Sequence, residues 1–247
     1  MNHFFKNIRV VNPAQKLDIK ANLWIKDGKI MHCSPDEVSV DSSAEIIDGE
    51  GLIAAPGLFD MHVHLREPGD DLKETIQSGT EAAANGGFTG VVCMPNTNPT
   101  IDDVTVVEYI KSKSKDLLTD VYISGAISQK REGKLLAPMM ELADAGVVFF
   151  TDDGASLDNS EIMRRAFDYA AAKDYMLSQH CEDASLTKGF AMHECALSYK
   201  LGLKGYPSVA EEIIVSRDIM LAKACGNRRY HVSHLSTKGS VELVRRA

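Results

Sequence analysis

The sequence predicts an α/β fold in which a small β-rich part precedes a TIM-type (β/α)8 barrel. From about residue 58 onward, short apolar runs alternate with helical segments, which is the pattern of parallel strands joined by helices. Six such units follow one another, and none carries the glycine-rich fingerprint of a dinucleotide-binding sheet. Both observations favour a barrel over a doubly wound sheet.

The elements divide into two expected domains. Residues 1–55 hold β-rich pieces separated by Asn-Pro and Asp-Gly turns and predict part of a small β-sandwich. Residues 56–247 predict the first six units of the barrel, with strands over LFDMHVH, FTGVVCMP, DVYISGAI, VVFFT, YMLSQH and YHVSHL. Because a barrel needs eight units and the sequence stops inside the helical pattern VELVRRA, we expect an N-terminal portion of a longer protein.

Net charge, apolar runs and cysteine spacing limit the kinds of partner that the protein can bind. The formal net charge of −8 and the absence of a basic run exclude the electrostatic footprint of a nucleic-acid-binding protein. No apolar run reaches the roughly 18 residues of a membrane span. The five cysteines are odd in number and lack CxxC spacing, which disfavours both a disulfide framework and a thiolate zinc site. We therefore expect a cytoplasmic protein that acts on a small molecule, without nucleic acid or membrane as a partner.

Chemistry-bearing side chains occur where the predicted strands end. In the stretch GLFDMHVHLREPGDD, alternation along a strand places Asp60, His62 and His64 on one face. Later strands end in Asn96, in the TDDG motif at residues 151–154, and in histidines. Barrel active sites lie at this end of the strands, and imidazole and carboxylate ligands without thiolate are typical of catalytic zinc. The set predicts a binuclear metal centre.

Each of these signals has an ordinary explanation when it stands alone. A lone HxH pair is usually a surface or core feature, TDDG is common turn chemistry, and His180 could be a satisfied interior histidine. His231 and His234 are three positions apart, so a strand would send them to opposite faces and only one would reach the rim. The remaining histidines, His3, His32 and His193, are interpreted as having no role at the site.

Arg66 and Asn96 are the other rim residues of interest. On their own, Arg66 is a solvated loop cation and Asn96 is a turn former. Beside a metal centre, however, a guanidinium offers two parallel donors to a carboxylate, and an amide can complete the contact. This pair predicts an anionic substrate that bears a carboxylate.

The motifs PGLFDMHVHLREPG, GGFTGVVCMPNTNP, FFTDDG, QHCED and HVSHLSTKGS, in this order, resemble dihydroorotases of the amidohydrolase superfamily, the long-chain bacterial type. The resemblance runs from about residue 51 to the end. It implies two Zn²⁺ ions per subunit, one held by His62 and His64 and the other by His180 and His234. Asp153, with hydroxide, would bridge them where dihydropyrimidinases use a carboxylated lysine, and Asp152 is the alternative bridge.

The resemblance also implies a reaction. His64, Arg66 and Asn96 would bind the substrate in the reversible cyclisation of N-carbamoyl-L-aspartate to (S)-dihydroorotate, a step of pyrimidine biosynthesis. The catalytic aspartate of this family would lie beyond residue 247, so we expect residues 1–247 alone to be inactive. A homodimer is the expected assembly, and association with another enzyme of the pathway stays open.

Two other functions stay open. A dihydropyrimidinase or hydantoinase should carry a lysine on the fourth strand and does not need Arg66. A catalytically inactive scaffold related to dihydroorotase should have lost metal ligands, and none of the five expected here is missing.

Overall fold

The computed structural model describes residues 1–247, which divide into two compact units, Met1–Leu58 and Phe59–Ala247. The first unit is one mixed sheet with the strand order β3-β2-β1-β4, and β5 pairs with β1 beyond β4. Its antiparallel pairs are β1 with β2 and β2 with β3, whereas β4 and β5 run parallel to β1. The strands are β1 Asn2–Asn12, β2 Leu17–Lys26, β3 Lys29–Ser34, β4 Glu45–Asp48 and β5 Ile53–Ala54.

Local sequence explains this sheet. Asp27 and Gly28 form the two-residue link between β2 and β3, and both have positive φ angles, of 50° and 74°, as the tight hairpin turn requires. Alternation sends Ile8, Val10 and Leu23 into a small apolar core. The sequence predicted part of a sandwich, and the structure has a single sheet in this unit.

The second unit is built on a six-stranded sheet in the order β6-β7-β8-β9-β10-β13. From β7 onward successive strands pair in parallel, and the amide of Met94 donates to the carbonyl of Val63 beside the first strand. The strands are β6 Leu58–Val63, β7 Phe88–Cys93, β8 Asp120–Gly125, β9 Val147–Phe150, β10 Leu177–Gln179 and β13 Tyr230–Val232. The sheet is therefore open, with β6 and β13 at its edges.

Helices connect these strands, as the alternating pattern predicts. Side chains of Thr75, Asp103, Asn159 and Thr237 cap four of the helix N-termini by accepting backbone N–H groups. Fully buried apolar side chains from strands and helices form one continuous core. The helices are α1 Ile76–Asn85, α2 Val104–Lys113, α3 Met139–Asp144, α4 Ser160–Ala170, α5 Ala184–Thr187, α6 Ala196–Leu201, α7 Val209–Ala224 and α8 Lys238–Arg246.

The segment between β10 and α7 is more than a single connecting helix. It contains α5, α6 and a small parallel pair of strands, β11 Met192–His193 and β12 Gly205–Tyr206. Gly189 and Gly202 adopt positive φ angles, of 76° and 66°, at the ends of the two short helices. No helix of the structure combines the length and apolar character needed to cross a bilayer.

Candidate metal centre

The structure brings the five predicted ligand residues together around Asp153, whose side chain is buried. His62 Nε2 lies 3.2 Å and His64 Nε2 3.5 Å from Asp153 Oδ2. On the other oxygen, Oδ1, His180 Nδ1 lies at 3.6 Å and His234 Nε2 at 3.5 Å. Each carboxylate oxygen thus faces one pair of histidines.

The ends of the strands determine this placement. His62 lies in β6, His64 follows directly after β6, and His180 follows directly after β10. The amide of Asp153 donates to Thr151 Oγ1 at 3.1 Å, which fixes the turn just past β9. Parallel neighbouring strands end on the same edge of a sheet, so residues far apart in sequence converge there.

Alternation along the last strand could not decide whether His231 or His234 faces the centre, whereas the family resemblance named His234. β13 ends at Val232, so His234 lies beyond it, with a φ of 32°, and the alternation rule does not apply to it. His231, within the strand, is half-buried, and burial, together with the nearby His62 and His234, lowers its pKa. Of the two, His234 contacts Asp153.

The donor set could hold a metal ion. Asp153 Oδ1 is buried without a hydrogen-bond partner, and His180 Nδ1 lies only 3.0 Å from His234 Nε2. Ligand atoms of His62, Asp153 and His234 all lie within 4.8 Å of one another. Nitrogen and oxygen donors aimed at one point, without thiolates, are what catalytic zinc sites use.

Electrostatics keep the central carboxylate charged. Burial by itself would raise the pKa of Asp153, but the contacts from three of the histidines outweigh burial and hold the pKa well below its usual range. The same contact raises the pKa of His180, against the opposing effect of burial. Asp153 is therefore an anion suited to bind cations.

Asp152, the alternative bridge, has a different environment. Its Oδ1 accepts the backbone N–H groups of Ile127 at 2.9 Å and Ser128 at 3.0 Å, and its Oδ2 accepts the hydroxyl of Ser128. Burial raises the pKa of Asp152, and these donors partly offset it. With both oxygens already occupied, Asp152 holds the loop after β8, and Asp153 is the carboxylate that faces the histidines.

The two predicted substrate-binding side chains lie on the His64 side of the centre. Asn96 Oδ1 is 2.9 Å from His64 Nδ1, and a Cβ placed on Gly154 would come within 3.5 Å of Asn96 Nδ2. Arg66 adopts a positive φ of 63°. Burial is the main cause of the lowered pKa of His64, and the nearby charge of Arg66 lowers it further. The Arg66 guanidinium has no hydrogen bond or ion pair within the chain.

Two neighbours of the centre were missed by the sequence-based reasoning. Glu182 Oε2 lies 2.9 Å from His180 Nε2, and the QHCED motif that contains both residues was a usable signal. Arg131 donates from a guanidinium nitrogen to the carbonyl of Asp153 at 2.8 Å. Arg131 ends a three-residue 3-10 turn, Gln129–Arg131, which is too short for any periodicity to indicate which way a side chain points.

Comparison with known families agrees with this geometry. A family model described as Dihydro-orotase-like matches residues 51–240. The chain is 45% identical over 248 residues to a protein named dihydroorotase from Syntrophus aciditrophicus (strain SB), covering 100% of this chain and 58% of that protein. It is 46% identical to a dihydroorotase from Pelotomaculum thermopropionicum, covering 100% of this chain and 57% of the relative. The chain thus spans a little over half the length of these relatives.

Solved structures show the same fold. An L-hydantoinase (dihydropyrimidinase) from Arthrobacter aurescens superimposes with a TM-score of 0.79 at 25% identity, covering 99% of this chain and 55% of that one. A D-hydantoinase superimposes with a TM-score of 0.76 at 21% identity, covering 100% of this chain and 55% of its own.

Proposed function

Because this chain belongs to the dihydroorotase-like family, we propose that the protein containing it is a zinc-dependent dihydroorotase. Its reaction is the reversible cyclisation of N-carbamoyl-L-aspartate to (S)-dihydroorotate in pyrimidine biosynthesis. The observation that carries the proposal is the buried Asp153 carboxylate with an unpartnered oxygen among four histidines.

In this proposal the centre would hold two zinc ions. His62 and His64 would be ligands of one and His180 and His234 of the other, and Asp153 would supply the carboxylate. Bound zinc at such a site supplies Lewis acidity and an activated water at neutral pH. The remaining chemistry belongs to the chain, which binds and orients the substrate.

Substrate orientation is assigned to Arg66, Asn96 and His64. The unpaired guanidinium of Arg66 is free to hold the exocyclic carboxylate through two parallel hydrogen bonds. Asn96 Oδ1 accepts the Nδ1–H of His64, which leaves the amide N–H₂ of Asn96 to donate to the same carboxylate. The acid–base group is assigned to the part of the relatives' length that this chain does not span, so residues 1–247 alone should be inactive.

The alternatives are weaker on specific points. A hydantoinase or dihydropyrimidinase acts on rings without an exocyclic carboxylate, which would leave Arg66 without a partner. An inactive scaffold has no need of five ligand residues that converge on one point. The proposal places the enzyme in the cytoplasm, as a homodimer associated with another enzyme of the pyrimidine pathway.

The test compares two substrates in the complete gene product. In Arg66→Met, we expect kcat/KM for dihydroorotate to fall about 10- to 100-fold, because a charge-assisted contact of roughly 1.5–3 kcal/mol is lost. Zinc content should stay unchanged, since Arg66 is not a ligand. Arg66→Lys keeps the charge and loses the paired donors, so its kcat/KM for dihydroorotate should lie between those of the wild type and Arg66→Met.

Dihydrouracil, which lacks the carboxylate, is the control substrate. Equal losses on both substrates, or a wild type that prefers dihydrouracil, would favour a hydantoinase-like enzyme. A complete gene product that binds zinc and turns over neither substrate would favour the scaffold.

A further inference from the structure

The His180 ring lies between two different environments. Its Nδ1 faces the centre, 3.6 Å from Asp153 Oδ1 and 3.0 Å from His234 Nε2. Its Nε2 faces away from the centre and lies 2.9 Å from Glu182 Oε2. The other oxygen of Glu182 accepts the hydroxyl of Thr187, a buried residue of α5. Both oxygens of Glu182 are therefore occupied, one by the ring and one by the helix.

This arrangement selects one tautomer of His180. A neutral imidazole carries a single N–H, and an ionised carboxylate can only accept hydrogen bonds. The Thr187 hydroxyl donates to Oε1 of Glu182, and the 2.9 Å contact between Oε2 and His180 Nε2 then requires the ring nitrogen to be the donor. The ring proton then sits on Nε2, and the lone pair of Nδ1 is directed at Asp153 and His234.

His64, on the opposite side of Asp153, has the reverse arrangement. Its Nε2 faces Asp153 at 3.5 Å, and its Nδ1 donates to the neutral amide oxygen of Asn96 at 2.9 Å. The histidines on the two sides of Asp153 thus present different nitrogens. One is supported by an amide and the other by a carboxylate, and a carboxylate makes an imidazole a more basic ligand than an amide does.

We propose that Glu182 is a positioning residue, which holds His180 in the Nε2–H tautomer and thereby sets the zinc affinity of the His180/His234 side alone. This inference rests on the proposed function, because it requires a metal at the centre. A purely structural role, in which Glu182 only anchors α5, makes a different prediction. Thr187→Val removes that anchor without touching the ring, so it provides a matched control.

The experiment uses the complete gene product, stripped of metal with a chelator and then titrated with ZnCl₂. In Glu182→Ala, we expect one of the two zinc equivalents to bind about 10- to 100-fold more weakly and the other to bind as in the wild type. Glu182→Gln keeps an acceptor oxygen and loses the charge, so its effect should be smaller. Thr187→Val should retain both affinities.

A second readout needs no metal. Nitrogen-15 NMR of the His180 ring in the metal-free protein, recorded at a pH at which the ring is neutral, should show Nε2 protonated and Nδ1 unprotonated in the wild type and in Thr187→Val. In Glu182→Ala the ring should populate both tautomers. This readout reports the tautomer directly, which a loss of folding stability does not change.

Two results would overturn the inference. One is wild-type affinity for both zinc equivalents in Glu182→Ala, and the other is an equal loss in Thr187→Val and Glu182→Ala. A wild-type protein that binds no zinc would instead refute the metal centre of the proposed function. The NMR readout would then decide whether Glu182 sets the tautomer, and an unchanged tautomer in Glu182→Ala would refute that as well.

Discussion

Charged side chains are exposed in the N-terminal sheet and buried at the rim of the six-stranded sheet, the edge at which its parallel strands end. In the N-terminal sheet, ion pairs such as Arg9 with Asp18, at 2.7 Å, have side chains that are more than half exposed. At the rim, Asp152 and Asp153 are each only 1% exposed. Exposed pairs are screened by water and contribute little to stability, whereas a buried carboxylate is costly unless partners or a ligand compensate it. The buried carboxylates of the rim therefore need compensation that the exposed ion pairs do not need.

The two buried carboxylates at the rim differ in how their charge is compensated. Asp152 is compensated by protein donors, from Ile127 and Ser128, on both of its oxygens. Its neighbour Asp153 keeps one oxygen without a hydrogen bond, facing His180 and His234. Two adjacent carboxylates of equal burial are thus expected to respond differently to the same substitution.

The largest effect is expected for Asp153→Asn, compared with Asp152→Asn. An amide cannot serve as the anion between two cations, so zinc affinity should fall by more than about 100-fold, since even outer partners of metal ligands are worth 10- to 100-fold. At position 152, the amide oxygen still accepts both backbone N–H groups, and its N–H₂ can donate to the Ser128 hydroxyl. Both variants are compared by the zinc content per protein and by the turnover of the complete gene product. Loss of zinc in Asp152→Asn with retention in Asp153→Asn would identify Asp152 as the bridge.

A smaller effect, on folding rather than on metal, is expected for Asp152→Ala. This change leaves the buried N–H groups of Ile127 and Ser128 without an acceptor, at about 1–3 kcal/mol for each group. The free energy of unfolding should therefore fall by roughly 2–6 kcal/mol, measured by urea denaturation without metal. An unchanged midpoint would mean that the loop after β8 does not depend on this carboxylate.

The smallest effect is expected for Arg9→Gln in the N-terminal sheet. The Arg9 guanidinium, through its hydrogen bonds, lowers the pKa of Asp18, so any stability it adds is present above the unfolded-state pKa of Asp18 and is lost as the pH falls. Because the pair is exposed, we expect no resolvable change in the urea midpoint at pH 7. A loss as large as that of Asp152→Ala would remove the contrast between the two regions.

Several expectations from sequence are confirmed, and the exceptions have physical causes. The α/β class with parallel strands is confirmed by the sheet and by the related solved structures. Membership of the dihydroorotase family is confirmed by the match over residues 51–240. The pair β11 and β12 was missed because each strand has only two residues, too few for any periodicity to appear.

The sequence by itself determined the alternation of strands and helices, and with it the edge where chemistry-bearing side chains collect. Both are local properties, since they follow from apolar spacing and from the residue at which each strand ends. Only the tertiary structure decided which carboxylate faces the histidines and which nitrogen each histidine presents. Asp152 is satisfied by donors 24 and 25 residues away, and His180 meets His234 54 residues further on. Partners at such separations are brought into contact by the packing of the sheet, which no local pattern encodes.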